Sequence, residues 1–304
     1  MSDAVTNRSS HCAPTRYVSY IRTGTCLTPE ELVVIAKQYN ESAEKRIPAT
    51  LIASDKAASG ELYAALAERI GGKDVDWFKQ PWLRSAPGVS KRLIQSAFRP
   101  EMPRAWLANS RAWLSTDDID RVMRQYEEQY PSFKFLGTFP IDFDTRTLFG
   151  RRCIADEMCN LSVKRLNDVE QKTQFGAVLN LDKHNQRGSH WVAVYGTSDA
   201  SSPNFGVHYF DSVGRKAPAE VARFQARIAS QIAALSGKDI ADVPITTRVE
   251  KRQFKNTECG VFSMYFLVCC MSGKMTVKDI VHAMGSDDLI HRLRFVFFRP
   301  PSSS

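Results

Sequence analysis

Apolar residues recur along this chain at two different spacings, and the change from one to the other divides it. The first hundred residues carry helical periodicity. Thr28 can cap a helix, Pro29 fits its first position, and Glu31 lies three residues after the cap. Leu32, Val33, Ile35 and Ala36 then form an apolar stripe running toward Tyr39. A second helix is predicted over Gly60–Ile70, with Leu62, Leu66 and Ile70 on one face and Gly71-Gly72 ending it. A further helical piece is expected over Ser90–Ser96. Residues 1 to about 25 are polar and aperiodic and read as loosely ordered. Phe98–Ala105 holds Pro100 and Pro103 without any period, which sets a boundary there: a helical N-terminal arm domain over 1–104, and a second domain over 105–304.

The second domain opens on a helix capped by Ser115 or Thr116. Ile119, Val122, Met123 and Tyr126 form its buried face, and Asp117 and Asp118 suit the dipole at its start. From Phe175 the period shortens to that of strands. Phe175–Leu181, Trp191–Tyr195, Val207–Phe210 and Val243–Val249 read as strands, separated by turns rich in Gly and Pro. A long amphipathic helix is expected over Ala217–Leu235. Cys259–Cys270 is apolar nearly all round and therefore predicts an interior helix. Thr276–Met284 and Asp287–Phe297 read as closing helices. Strands and helices that do not alternate regularly give an α+β class.

Composition narrows the picture only a little. The chain has 304 residues, 43% hydrophobic and 24% charged, enough to bury a core without staples. Its net charge of +8 is spread along the sequence, with no basic tail. A diffuse basic surface predicts at most weak nucleic-acid contact. No apolar run approaches the roughly 18 residues of a membrane span, and Met1–Ser10 lacks the apolar core of a signal peptide. The seven cysteines are odd in number and show no repeated spacing, which argues against a disulfide framework and for a reducing compartment. Cys153 and Cys159 have no companions at zinc-like spacing, so no metal and no cofactor is expected.

The chemistry concentrates in four residues met in the order His190, Asp211, Gln253, Cys259. Cys259 opens the apolar helix, where unpaired backbone N–H groups favour a thiolate; taken alone it reads as well as a small core cysteine. His190 stands at the start of a strand behind a polar loop and is the candidate base. His208, inside a strand, reads as packed, and His184 as solvated. Asp211 ends a strand and can accept the second ring N–H of His190, or simply form a turn. Gln253, six positions before the cysteine, offers a neutral donor for an oxyanion. Trp191 and Trp113 can cover an extended backbone, or fill core.

His190-Trp191, Asp211-Ser212, Gln253 and Glu258-Cys259-Gly260-Val261 resemble the signature of the ubiquitin-like-protein proteases, the SUMO-deconjugating cysteine peptidases. Trp113-Leu114 is similar to the Trp-Leu pair that precedes a helix in that family. The likeness covers about residues 106–297. It departs in Glu258, where Asp is usual, and in Lys255-Asn256-Thr257, where Asn-Gly is common. A nearer resemblance is to the viral branch, the polyprotein-processing proteases of nucleocytoplasmic large DNA viruses such as African swine fever virus. Thr25–Thr28, Ile35–Asn40, Phe135–Phe143, Asn180–His184 and Phe297–Pro300 carry it.

The resemblance implies a papain-related catalytic domain with a helical arm, cleavage after Gly-Gly in a polypeptide substrate, and residence in the host cytoplasm and the virion. On that reading Cys259 is the nucleophile, His190 the base, Asp211 its orienter and Gln253 an oxyanion donor, while Trp191 and Trp113 bind substrate. Three rivals stand beside it: a SUMO- or ubiquitin-type deconjugase, an acyltransferase using the same triad, and a nucleic-acid or virion-binding module with a silent site.

Overall fold

The computed structural model describes residues 11–52, 60–85, 89, 91–146 and 152–301. The Met1–Ser10 stretch, read above for a signal peptide, lies outside them, as does Ser90. The chain divides into two compact units. Among the described residues, 104–296 form one, and 11–103 with 297–301 form the other.

The smaller unit is helical. The Thr28 side chain accepts from the Glu31 amide at 3.3 Å and Glu31 accepts from the Thr28 amide at 2.7 Å, closing the expected capping box on a helix over Pro29–Ser42. Glu61–Ile70 and Lys91–Ala97 are the other expected helices. Residues 11–25 correct the sequence reading, for they are ordered. Tyr17–Thr23 is helical, a disulfide joins Cys12 to Cys26, and Thr25 is fully buried. A nonlocal partner explains this. Asp74, buried, accepts from the Thr25 hydroxyl at 2.7 Å and the Cys26 amide at 2.8 Å, and it pairs with His11. At the other end of the chain Arg299 pairs with Glu101 at 3.0 Å, which joins residues 297–301 to this unit.

The larger unit is built on a five-stranded mixed sheet in the order β1-β2-β3-β4-β5. Its strands are β1 (Phe133–Pro140), β2 (Gln174–Asn180), β3 (Trp191–Thr197), β4 (Gly206–Phe210) and β5 (Ile245–Thr246). The central pairs β2–β3 and β3–β4 are antiparallel; β1 and β5 add in parallel at the edges. The sequence reading lacked β1 and made β5 too long.

Both sheet faces are covered, which is why β3 is buried along its whole length. On one face the Ala219–Ser236 helix packs Val221, Phe224, Ile228 and Ile232 against Phe175, Leu179, Val192 and Val207. On the other lies the Cys259–Met271 helix, buried at every position, with Phe266 stacked on Phe210 at 4.6 Å. The C-terminal end corrects another expectation. Asp287–Arg292 and Arg294–Phe297 are two short helices rather than one. No helix among the described residues is long and apolar enough to cross a membrane.

Candidate active site

The fold delivers three side chains from three elements to one place. His190 immediately precedes β3, Asp211 immediately follows β4, and β3 and β4 are hydrogen-bonded neighbours. Cys259 is the first residue of the helix laid across that sheet. His190 Nε2 lies 2.6 Å from Asp211 Oδ1. That leaves Nδ1 as the ring nitrogen available to Cys259, whose sulfur is close enough to act on the His190 charge. Cys259 is a free, buried thiol.

Burial by itself would lower the pKa of His190. The hydrogen bond to Asp211, together with the Asp211 carboxylate and the Cys259 sulfur beside the ring, outweighs it and pushes the imidazole up to about 9. His190 is therefore a cation at neutral pH, held between a carboxylate and a sulfur.

Asp211 is fully buried, and its geometry is fixed from two sides. Oδ1 also accepts from the Val213 amide at 2.8 Å, while Oδ2 meets no donor among the described residues. The turn behind it closes through Gly214, whose N–H donates to the Asp211 carbonyl at 2.9 Å. Gly214 has φ +78°, and a Cβ there would lie 2.9 Å from the Lys251 backbone nitrogen, so only glycine fits without strain.

Gln253 is buried beside this corner. Its Oε1 accepts from the Ser212 hydroxyl at 2.6 Å, its backbone N–H donates to the Ser212 carbonyl at 2.8 Å, and Nε2 donates to the Lys255 carbonyl at 2.5 Å. The side chain is thus locked to the residue that follows Asp211, and one amide hydrogen remains without a partner among the described residues. The helix start adds donors. The first in-helix acceptor, the Glu258 carbonyl, takes the Phe262 amide, which leaves the N–H groups of Cys259, Gly260 and Val261 pointing out of the helix end.

A cleft of about 450 Å³ opens beside His190 and Trp191, lined also by Trp113, Leu114, Asn180 and His184. Trp191 is 8% exposed and donates its indole N–H to the Leu114 carbonyl at 3.0 Å; Trp113 is 50% exposed. Gly260 sits under this wall. A Cβ there would lie 2.9 Å from Leu114 Cδ1 and 3.2 Å from Trp191 Cδ1, so the helix end and the wall touch without room for a side chain.

The remaining histidines and cysteines sort themselves. His208 is packed, bonded to Thr246 at 2.9 Å and the Asn204 carbonyl at 3.0 Å. His184 is half-exposed, as a solvated residue would be, and its Nδ1 also hydrogen-bonds Asp142 at 2.7 Å. Cys153 and Cys159 are joined in a disulfide, as are Cys12 and Cys26, so four of the cysteines expected to be free are bonded. Among the described residues, His11, Cys26 and Asp74 form a cluster with metal-ligand chemistry, but its sulfur is spent in the disulfide and its imidazole on the carboxylate.

No protein-family model matches the chain. Among curated proteins it is 29% identical, over 304 residues, to a putative thiol protease of Acanthamoeba polyphaga mimivirus; the match covers 95% of this chain and 93% of that protein. It is 24% identical over 218 residues to the SUMO-1 cysteine protease of African swine fever virus, covering 69% of this chain and 75% of the relative. The chain is a homologue of these viral thiol and SUMO-protease-like cysteine proteases. The crystal structure of the African swine fever virus protease superposes with a TM-score of 0.61 at 18% identity, covering 96% of each chain. The chain therefore has the α+β fold of that enzyme, N-terminal helical region included.

Sequence reasoning missed some of what shapes the candidate site. The Leu114 carbonyl that anchors Trp191 carries no signal in the sequence, because any residue has one. Arg294 does carry one. It is a basic residue within the otherwise apolar stretch Leu293–Phe298, and it is completely buried.

Proposed function

We propose that this protease is an endopeptidase that cuts precursor polypeptides after a pair of small residues, Gly-Gly, through a Cys259–His190–Asp211 site. The observation that carries the reading is His190 held between Asp211 Oδ1 at 2.6 Å and the sulfur of Cys259, which begins a helix. In this scheme the thiolate of Cys259 attacks the scissile carbonyl, and the negative charge moves to its oxygen. The Cys259 amide and the remaining N–H of Gln253 receive that oxyanion. The tetrahedral adduct collapses, the C–N bond breaks, and His190 gives its Nδ1 proton to the leaving amine. A water then loses a proton to His190, adds to the thioester and releases the new carboxylate with the thiol. Asp211 holds the ring and stabilises its cationic form throughout.

Diglycine preference is supported by the two indoles at the cleft. Trp191 and Trp113 both line the cleft, Trp113 half-exposed, and flat indoles suit an extended backbone with very small side chains. Polyprotein processing is supported by the segments that resemble the viral branch, as is a place of action in the host cytoplasm and the virion. The basic surface favours weak nucleic-acid contact.

The test compares fluorogenic peptides ending in Gly-Gly, in Ala-Ala and in Leu-Leu before the cut bond, together with a ubiquitin-like fusion. Cleavage of the Gly-Gly peptide, lost in Cys259→Ala, is the expected result. Equal turnover of the Leu-Leu peptide would reject the specificity. Cleavage of the fusion but of no free peptide would make the chain a deconjugase.

A further inference from the structure

The residue before Cys259 is a carboxylate with no solvent exposure, Glu258. A buried carboxylate is costly unless it is paired and hydrogen-bonded. The surroundings offset that cost. Arg294, equally buried, donates from Nε to Glu258 Oε2 at 2.7 Å. His291 Nδ1 lies 3.0 Å from Oε1, the Thr257 hydroxyl donates to Oε1 at 3.1 Å, and Arg111 Nη1 approaches it at 3.5 Å. Arg111 is shared with the exposed Asp288, so Arg294 is the dedicated partner.

The guanidinium does more than neutralise. Its Nη2 donates to the Thr257 carbonyl at 3.1 Å and its Nη1 to the Ala112 carbonyl at 2.6 Å, and its plane lies over the Trp106 ring at 4.5 Å. One rigid fork thereby grips both residues ahead of the cysteine and the backbone that leads into Trp113-Leu114. Leu114 in turn holds Trp191 and touches the Gly260 position. The Glu258 backbone is fixed as well, since its carbonyl accepts the first helical amide. A buried ion pair is a poor way to gain stability, because apolar groups of the same size pack there at no desolvation cost. Its worth lies in geometry.

We propose that Glu258 and Arg294 are positioning residues of the protease site, locking the first turn of the Cys259–Met271 helix against the Leu114–Trp191 wall. The inference rests on Cys259 being the nucleophile, and it concerns how the sulfur, its amide and the cleft are held in one geometry.

Removing a single partner strands a buried charge and can prevent folding. The deciding variant therefore replaces both, Glu258→Met with Arg294→Met, checked for folding by circular dichroism and Tm. The expected result is a folded protein whose kcat on a Gly-Gly peptide falls about 10- to 100-fold, because misplacement of a reacting group by about 1 Å costs that much. KM should rise as well, since the wall loses its anchor on Ala112. Glu258→Asp and Arg294→Lys keep the charges and shorten or unfork the contact. Each should lower kcat about tenfold while Tm stays near the wild type, and these variants decide the matter if the double variant does not fold. Wild-type kcat and KM in the folded double variant, or in both conservative ones, would overturn the proposal and leave a purely structural pair. Cysteine alkylation and Cys259→Ala run beside them. If Cys259→Ala keeps its turnover, the nucleophile assignment has failed and the positioning role falls with it. If Cys259→Ala is dead and the double variant is fully active, only the positioning role has failed.

Discussion

Among the described residues histidine, aspartate and cysteine meet at two places, once in the helical unit and once at the sheet. In the first, the donor atoms of His11, Asp74 and Cys26 lie within 4.8 Å of one another. The two pairs are equally sheltered: the side chains of His11 and Asp74 are 12% and 1% exposed, those of His190 and Asp211 11% and 0%. What differs is what else each group touches. Asp74 also accepts from the Thr25 hydroxyl and from the Cys26 and Val75 amides. Burial would raise its pKa, yet these bonds and His11 hold it below the ordinary 3.8. The His11 imidazole is stacked on Phe98, and the Cys26 sulfur is spent in the bond to Cys12. Asp211 has one oxygen without a donor among the described residues, and the sulfur beside His190 is free at a helix start next to a cleft. The three residue types are therefore no sign of a reactive site. A free thiol, an aimed helix end and an open approach are what separate the two clusters.

Substituting the two sulfurs tests that separation most sharply. Cys259→Ala should abolish peptide turnover, a fall on the order of 10⁴ or more. Cys26→Ala should leave kcat intact and lower Tm, since a disulfide closing a loop of this length contributes about 3 kcal/mol. Loss of turnover in a folded Cys26→Ala protein would erase the distinction between the clusters.

The carboxylates come next. Asp211→Asn should cost about 10²–10⁴ in kcat. It should also move the alkaline limb of the pH–rate profile. In the wild type the imidazolium must supply a proton, so the rate should fall as pH rises through the His190 pKa of about 9. With the Asp211 charge gone the limb should shift to lower pH. The same raised pKa makes a stability statement. The His190 contribution is fully present below pH 6.5, the ordinary value, and is lost as pH rises through about 9. Asp74→Asn should act on stability alone, lowering it by roughly 3 kcal/mol or more, as expected on breaking a buried pair. The Asp74 contribution has the opposite sign in pH: it is present above 3.8 and lost as acid takes the carboxylate through its lowered pKa. A wild-type alkaline limb in Asp211→Asn would remove the reason for placing it in the site. Gln253→Ala should follow at about 10²–10³ in kcat with KM little changed, as for loss of one oxyanion donor.

Features set by local sequence were legible beforehand, and features set by distant partners were not. The Thr28 and Ser115 caps could be read because a capping box is closed within four residues. The interior helix at Cys259 and the strands β2 to β4 could be read because burial on both sides leaves continuous apolar runs. β1 escaped because its Lys134, Gly137, Thr138 and Pro140 break any such run, and its pairing partner Gln174–Asn180 lies far along the chain. The order of residues 11–25 escaped because it depends on Asp74. In the candidate site the four side chains were legible as residue types in sequence. The fork of Arg294 was not, since its meaning comes from Glu258, Ala112 and Thr257 meeting around it.

The smallest effect sharpens the comparison through two indoles. Trp77 in the helical unit is 1% exposed and donates to the Gly71 carbonyl at 2.9 Å, whereas Trp113 is half-exposed at the rim of the cleft. Truncating a fully buried indole leaves a cavity, so Trp77→Ala should be read in Tm. Trp113 has little to lose on that side, because solvent already covers half of it. Its apolar face is available to a bound backbone, and its removal should forfeit about 1–2 kcal/mol of binding, a factor of roughly 5–30 in KM on a Gly-Gly peptide. kcat should barely change, because the indole does not touch the sulfur's proton path. A fall in kcat with unchanged KM would mean that Trp113 supports the geometry of the reacting groups, and substrate contact would then rest on Trp191 alone.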